Sequence, residues 1–316
     1  WQQALSLLSE MIETKLETDT IIYSASISAC EKAKQWQQAL SLLREVVETT
    51  LEPDAIIYNA AISACEKGIQ WQRALSLFCD SQKFNLEPDI IMYCAGIRAC
   101  EKCGQWQQAL LLFGKLRETR VEPSTVLYNS GLGACEESGQ WQLAIAMLDE
   151  MPEVTLEPSI ASYLAGAKVC ERGGRWQHAL ALFGVMRGAK LEMNVISCSA
   201  ELSACEKGGQ WVQALLLVRE MWATTVAPNV VSYSTVTSAC ERGGQWRQTL
   251  SLLNEIKRVA LEPNVFSYSA SISACGSGGQ WQWALKLIDD TRRSKLELDV
   301  ITYNVGISVC EKGEQW

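Results

Sequence analysis

Residues 55–89 read AIIYNAAISACEKGIQWQRALSLFCDSQKFNLEPD, and the same pattern returns every 35 residues along the chain. From Ala55 through Lys67 the apolar spacing is that of an amphipathic helix. Gly68 interrupts the pattern, and a second helical run begins at Trp71 and reaches Ser81. Leu86-Glu87-Pro88-Asp89 closes the unit, because proline and the residue before it both disfavour further helix. The stretch predicts a helix–turn–helix unit that turns into its next copy.

Trp recurs in this phase from Trp1, Trp36 and Trp71 to Trp316. The closing proline recurs at six of nine unit ends, with Thr18, Met193 and Leu298 in its place at the others. The phase divides the chain into a half unit (1–19), full units 20–54, 55–89, 90–124, 125–159, 160–194, 195–229, 230–264 and 265–299, and a final half (300–316). A fixed period of this length marks a solenoid, in which stacked units share one elongated core. The expectation is an all-α array of helix pairs over 1–316, not the two globular domains that length alone would suggest. Trp1 and Trp316 stand in mid-unit, so a segment of a longer array is expected, with targeting information absent, not negative.

Composition is that of an ordinary folded protein, 48% hydrophobic and 20% charged. No apolar run approaches the roughly 18 residues a membrane span needs, and no lipidation motif appears, so no membrane partner is expected. Nine of the 13 cysteines keep the repeat phase: Cys30, Cys65, Cys100, Cys135, Cys170, Cys205, Cys240, Cys275 and Cys310. A phase-locked helical cysteine reads most simply as a small buried hydrophobe. Neighbours in this set lie a whole repeat apart and cannot all pair, which suits a reducing compartment. Cys100-Glu-Lys-Cys103 lacks a second ligand pair, and the one histidine, His178, is expected on the exposed side of a second helix. No metal or redox site is therefore expected. The Gly-Gly pairs before Trp176, Trp211, Trp246 and Trp281 are interhelical turns, not phosphate loops. Neither catalysis, a cofactor nor a small-molecule substrate is expected. The tryptophans are expected in the core, over the interhelical turns.

The first helix of each unit is more informative. At about 100° per residue, Tyr23, Ile27 and Cys30 share one face, which should bury. Ile21, Ser24, Ser28 and Lys32 share the opposite face. Repeated along a solenoid, that face becomes a groove with polar floor, aliphatic residues between, and a basic row at one edge. The row comprises Lys32, Lys67, Lys102, Arg172, Lys207, Arg242 and Lys312, broken by Glu137 and Ser277. Such a groove suits an extended, polyanionic, stackable ligand. A cation in the last helical turn also complements the helix dipole, so the row alone leaves both readings open. The net charge of −8 runs against the basic balance usual in nucleic-acid binders. Many of the acids, among them Glu17, Glu52, Glu87, Glu122, Glu157, Glu192, Glu262 and Glu297, fall in the turns between units, which is expected to keep them off the groove.

A 35-residue unit of the form I-I-Y-N-x-x-I-S-A-C-E-K-G-x-x-W-x-x-A-L-x-L-F…L-E-P-D resembles the pentatricopeptide repeat in its pure P-type form, over the whole chain. Tyr23, Tyr58, Tyr93, Tyr128, Tyr163, Tyr233, Tyr268 and Tyr303 hold the family's aromatic position, with Cys198 the one substitution. The tetratricopeptide repeat has a period of 34 residues and a W-x2-L-G-x2-Y spacing that is absent here.

The resemblance implies a right-handed α-α superhelical solenoid that binds single-stranded RNA, one base per repeat, read by two or three side chains. It implies that the residue after the Tyr and the final residue of the unit read the base. The implied pairs are Ser24 with Asp54 (G), Asn59 with Asp89 (U), Asn129 with Ser159 (C), Ser199 with Asn229 and Ser234 with Asn264 (both A), and Ser269 with Asp299 (G). Cys94 with Ser124 and Leu164 with Asn194 match no family pair, and Asn304 stands without a partner. The residue two before the Tyr is implied to sandwich the base: Ile21, Ile56, Ile91, Val126, Ala161, Ile196, Val231, Phe266 and Ile301. With RNA running 5′ to 3′ along the chain, the implied preference is 5′-GUNCNAAG-3′. The two unmatched units also carry Arg98 and Lys168 on the groove face, where they are expected to hold backbone without reading a base. The seven-membered basic row is expected to contact phosphate. Family members act in RNA processing, stability, editing or translation in the mitochondrion or chloroplast, with recruited protein factors. The alternative is a scaffold that binds peptide in the same groove.

Overall fold

The computed structural model describes the chain except for residues 15–18, 50, 52, 120–121, 225, 295–302, 305 and 309–316. Asp299, Ile301, Lys312 and Cys310 lie outside the described residues.

Seventeen helices are described, and the chain divides into two compact units, residues 1–169 and 170–316, with the division inside the tenth helix. The first nine are α1 (Gln2–Glu13), α2 (Thr20–Lys32), α3 (Trp36–Glu48), α4 (Ala55–Lys67), α5 (Trp71–Lys83), α6 (Ile90–Lys102), α7 (Trp106–Glu118), α8 (Thr125–Ser138) and α9 (Trp141–Glu153). The remainder are α10 (Ile160–Arg172), α11 (Trp176–Gly188), α12 (Val195–Lys207), α13 (Trp211–Ala223), α14 (Val230–Arg242), α15 (Trp246–Arg258), α16 (Val265–Ser277) and α17 (Trp281–Arg293). Each repeat thus supplies one helix before its turn and one after it, as the sequence predicts. First helices stack on first helices, α2 on α4, α6 and α8 in turn, and likewise α12 on α14 on α16. Within each compact unit second helices sit against their own first helix and the next one, as α3 does with α2 and α4 and α13 with α12 and α14.

The chain chemistry explains where these helices begin. The final residue of a unit is the N-cap of the next first helix at Asp19, Asp54, Asp89, Ser124, Asn194, Asn229 and Asn264. Asp19, Asp54 and Asp89 accept the amides of Ile22, Ile57 and Met92 at 2.9–3.0 Å, and Asn194, Asn229 and Asn264 accept those of Ser197, Ser232 and Ser267 at 2.8–2.9 Å. Short polar side chains at this point satisfy amides that the helix itself leaves unpaired.

The helix end is equally regular. Gln70 N donates to Cys65 O at 2.9 Å, and Ile69 between them takes a left-handed φ of 58°. Closing the helix this way requires one left-handed residue per turn. Gly104, Gly139, Gly174, Gly209, Gly244 and Gly279 supply it, while Lys34 and Ile69 adopt it as non-glycines. Gly68 is not that residue: its φ is −86°. A Cβ at Gly68 would lie 2.3 Å from Cδ1 of Trp36, and the same approach recurs between Gly243 and Trp211 and between Gly278 and Trp246. Each of these tryptophans therefore covers the turn of the following unit.

The buried face is the one the spacing predicts. Tyr23, Ile27 and Cys30 are buried, as are Tyr58, Ile62 and Cys65 one unit on. The Tyr hydroxyls reach carboxylates on the second helices: Tyr23 Oη donates to Glu45 at 3.1 Å and Tyr233 Oη to Glu255 at 3.0 Å. In the unit that has Cys198 for Tyr, Arg187 instead makes a two-pronged bond to Glu201 at 2.8 and 2.7 Å. Glu201 is buried at the phase where other units place Ala61 or Gly96. The eight described phase-locked cysteines are buried and free, and burial pushes thiols such as Cys100 and Cys135 up to about 12. Protonated and enclosed, they are chemically inert.

Candidate functional site

On the face opposite the tyrosines, the described residues at the phase two before the Tyr point outward. Ile21, Ile56, Ile91, Val126, Ile196, Val231 and Phe266 are between 53% and 73% exposed, and Ala161 is exposed as well. An apolar side chain left in water once per repeat, at a fixed phase, marks a surface suited to an apolar or stacking ligand.

Between these residues lie the polar pairs. Asn59 Nδ2 donates to Oδ2 of Asp89 at 2.8 Å, while Oδ1 of Asp89 caps α6. Ser234 Oγ reaches Oδ1 of Asn264 at 2.9 Å, and that oxygen also caps α16. The capping oxygen is fixed in both, so the second polar atom sets the chemistry shown to the groove. An aspartate there offers an acceptor and an asparagine a donor.

The other pairs are arranged differently. Ser24 turns its hydroxyl to the carbonyl of Ile21 at 2.9 Å, and Ser199 to that of Val195 at 2.7 Å, each within its own helix. Asn129 Oδ1 is buried without a partner, and Ser159 exchanges hydrogen bonds with Ser162 at the start of α10. Leu164 is half-buried, Asn194 exposed and Ser269 half-buried. Asn304 is exposed. Cys94, Ser124, Arg98, Ile91 and Val126 line one cavity of about 450 Å³, with Lys67, Glu31 and Glu66 also on its wall. Burial raises the Cys94 thiol, and the guanidinium of Arg98 beside it acts in the opposite direction.

The described members of the basic row are exposed, but several are already engaged. Lys67, Lys102 and Lys207 bind Glu31, Glu66 and Glu171 of the preceding unit at 2.8–2.9 Å, and Arg242 stands 3.8 Å from Glu206. The turn glutamates Glu87, Glu122, Glu157, Glu192 and Glu262 are exposed. A second acidic row therefore runs beside the cations, and the expectation that acidity avoids the groove holds only for the turns. Its signal was present as the Glu immediately before each Lys or Arg, one phase earlier. The ladder is interrupted beside Glu101, because the next unit has Glu137 at the phase of Lys67 and Lys102. Burial, with Glu136 and Glu66 adding to it against Lys102 and Arg98, lifts the Glu101 carboxyl to about 7.

Among the described residues no group of three metal-ligating side chains comes together, and Cys103 Sγ donates to Ile69 O at 3.5 Å. No described helix is long and apolar enough to cross a membrane.

The family model for the pentatricopeptide repeat domain matches residues 6–67, 76–138 and 181–242. Models described as PPR repeat family and PPR repeat match residues 228–277 and 56–86. No curated protein sequence is significantly similar to the chain. Among solved structures, the pentatricopeptide repeat protein PPR10 from maize aligns at a TM-score of 0.59 and 21% identity, over 99% of this chain and 50% of that one. Nuclear proteinaceous RNase P 2 from A. thaliana aligns at 0.53 and 11% identity, over 62% of this chain and 46% of that one. PPR10 in complex with an 18-nt psaJ RNA element aligns at 0.47 and 19% identity, over 99% of this chain and 55% of that one. The chain thus spans about half the length of these relatives, and the likeness is one of fold.

Proposed function

The chain belongs to the pentatricopeptide repeat family, and from that premise we propose that it binds single-stranded RNA in the groove, one base per repeat. The observation that carries the reading is the exposed aliphatic or aromatic side chain that recurs in each described full unit, with the polar pairs Asn59–Asp89 and Ser234–Asn264 lying between successive ones. A base slotted between successive members of the apolar row, such as Ile56 and Ile91, turns its edge toward the pair between them. Stacking on such side chains is sequence-tolerant, so choice falls to the pair.

The chemistry of the capping residue supports a code. Guanine and uracil carry an N–H at the centre of the Watson–Crick edge, whereas adenine and cytosine carry a bare acceptor nitrogen. Aspartate accepts from the first kind, and asparagine donates to the second. Asp54 and Asp89 then favour G and U, and Asn229 and Asn264 favour A. With Ser159 for C, and Asp299 for G, the preferred RNA is 5′-GUNCNAAG-3′. The cations of the row approach phosphate from the groove edge, in competition with their glutamates. Arg172, Lys32 and Lys312 belong to the same row.

Occupancy is the mechanism: a bound array shields RNA from nucleases, holds hairpins open, or positions a recruited protein. An organellar setting, mitochondrion or chloroplast, completes the proposal. A peptide-binding scaffold is the second reading, favoured by the ion pairs that occupy four cations. Fluorescence anisotropy with a labelled GUGCGAAG octamer, its permutations and the matching DNA tests the proposal. Preference for the octamer, weakening steeply with salt, supports it. Equal weak binding of all sequences, or none, overturns it.

A further inference from the structure

The third repeat, residues 90–124, lacks a usable reading pair, yet a cavity of about 450 Å³ opens against its first helix. Ile91 and Val126 form its apolar walls, Cys94 and Ser124 its polar floor, and Arg98 enters from the same helix as Cys94. Arg98 is half-buried, set in from the exposed edge where Lys67 and Lys102 stand. Those lysines hold Glu31 and Glu66, whereas no carboxylate among the described residues lies within ion-pair distance of Arg98. The neighbouring units place Ser63 and Gly133 at the phase of Arg98, so a cation at this phase is peculiar to this unit and to the one with Lys168, and the guanidinium to this unit.

We propose, on the basis of the RNA-binding reading above, that Arg98 is the specificity-determining residue for the third base and selects cytosine or guanine. The guanidinium is a planar fork that needs two adjacent acceptors and has none to offer itself. Cytosine presents N3 and O2, and guanine presents O6 and N7. Neither adenine nor uracil presents two adjacent acceptors on these edges, so one prong of the fork finds no acceptor. This replaces the expectation that Arg98 serves backbone alone. Lys168 is exposed and carries a point charge without a fork, so the fifth base stays unread.

The test uses the full chain and four RNAs of the form GU-X-CGAAG, with wild type, Arg98→Lys and Arg98→Ala. Wild type is expected to bind X = C or G at least ~10-fold more tightly than A or U. Arg98→Lys keeps the charge, so it should hold the RNA while the four affinities converge. Arg98→Ala should converge them as well. A flat third position in wild type, or a preference that survives in Arg98→Lys, overturns the assignment while leaving RNA binding intact. Failure of wild type to bind any of the four overturns both readings.

Discussion

Asn59 on α4 donates to Asp89 across 2.8 Å, and the same aspartate caps α6 through its other oxygen. Two demands meet on one residue: helix initiation wants a short acceptor, and the groove wants a distinguishing polar atom. Asp and Asn satisfy the first equally and the second oppositely.

Asp54→Asn should therefore separate them. The cap oxygen is retained, so unfolding free energy should change by less than about 0.5 kcal/mol, while the first base shifts from G to A. Asp54→Ala should lose the bond to Ile57 N and cost about 0.5–2 kcal/mol. Thermal melts and anisotropy with GUGCGAAG and AUGCGAAG read both effects. Destabilisation by Asn equal to that by Ala would remove the dual role.

The turn between the helices predicts opposite effects at adjacent residues. Ile69→Gly relieves a left-handed β-branched residue whose side chain is exposed, and should stabilise by about 1 kcal/mol. Gly68→Ala forces a methyl into the Trp36 ring and should cost about 1–3 kcal/mol, despite an ordinary φ. Chemical denaturation of the two variants checks both signs.

Glu101 gives a pH dependence. Its folded carboxyl keeps the proton to about 7, against 4.5 as the ordinary value. Between those values the folded chain binds more protons than the unfolded one, so stability falls as pH rises through the window. Glu101→Gln should raise the melting temperature at pH 8 and change it little at pH 4. The quantity to compare is the wild-type-minus-variant difference, because burial raises Glu206 and Glu241 in the same sense. A difference independent of pH would contradict the assignment.

Freeing a cation should strengthen backbone contact. Glu66→Gln removes the carboxylate 2.8 Å from Lys102, and RNA affinity should rise alike for all sequences at low salt. The slope of log affinity against log salt should steepen by roughly one contact. An unchanged slope would place Lys102 in the protein's own ladder and not on the RNA.

Much of this was legible from residues alone. Periodicity placed α4 and the start of α5, and the angular argument separated Tyr23, Ile27 and Cys30 from Ile21 and Lys32. Contacts between neighbouring units were not legible, because they join residues set apart by about a whole repeat. Trp36 meeting Gly68 and Lys67 meeting Glu31 are of this kind. Capping by Asp89 was legible in principle, as a short polar residue directly before a helical run. Arg187–Glu201 had a fainter signal, a charge at the phase of Ala61 and Gly96, just where Cys198 breaks the Tyr series. Arg98 could be placed on the groove face from its spacing, but its entry into the base cavity depends on how α6 and α8 pack.

The most direct test of the central claim is selection from a random single-stranded RNA pool at low salt, with wild type and Asp54→Asn in parallel. Wild type should enrich GUNCNAAG, with C or G at the third position, and the variant should enrich the same sequence with A first. No enriched sequence in wild type, or one that Asp54→Asn leaves unchanged at its first base, would contradict the account.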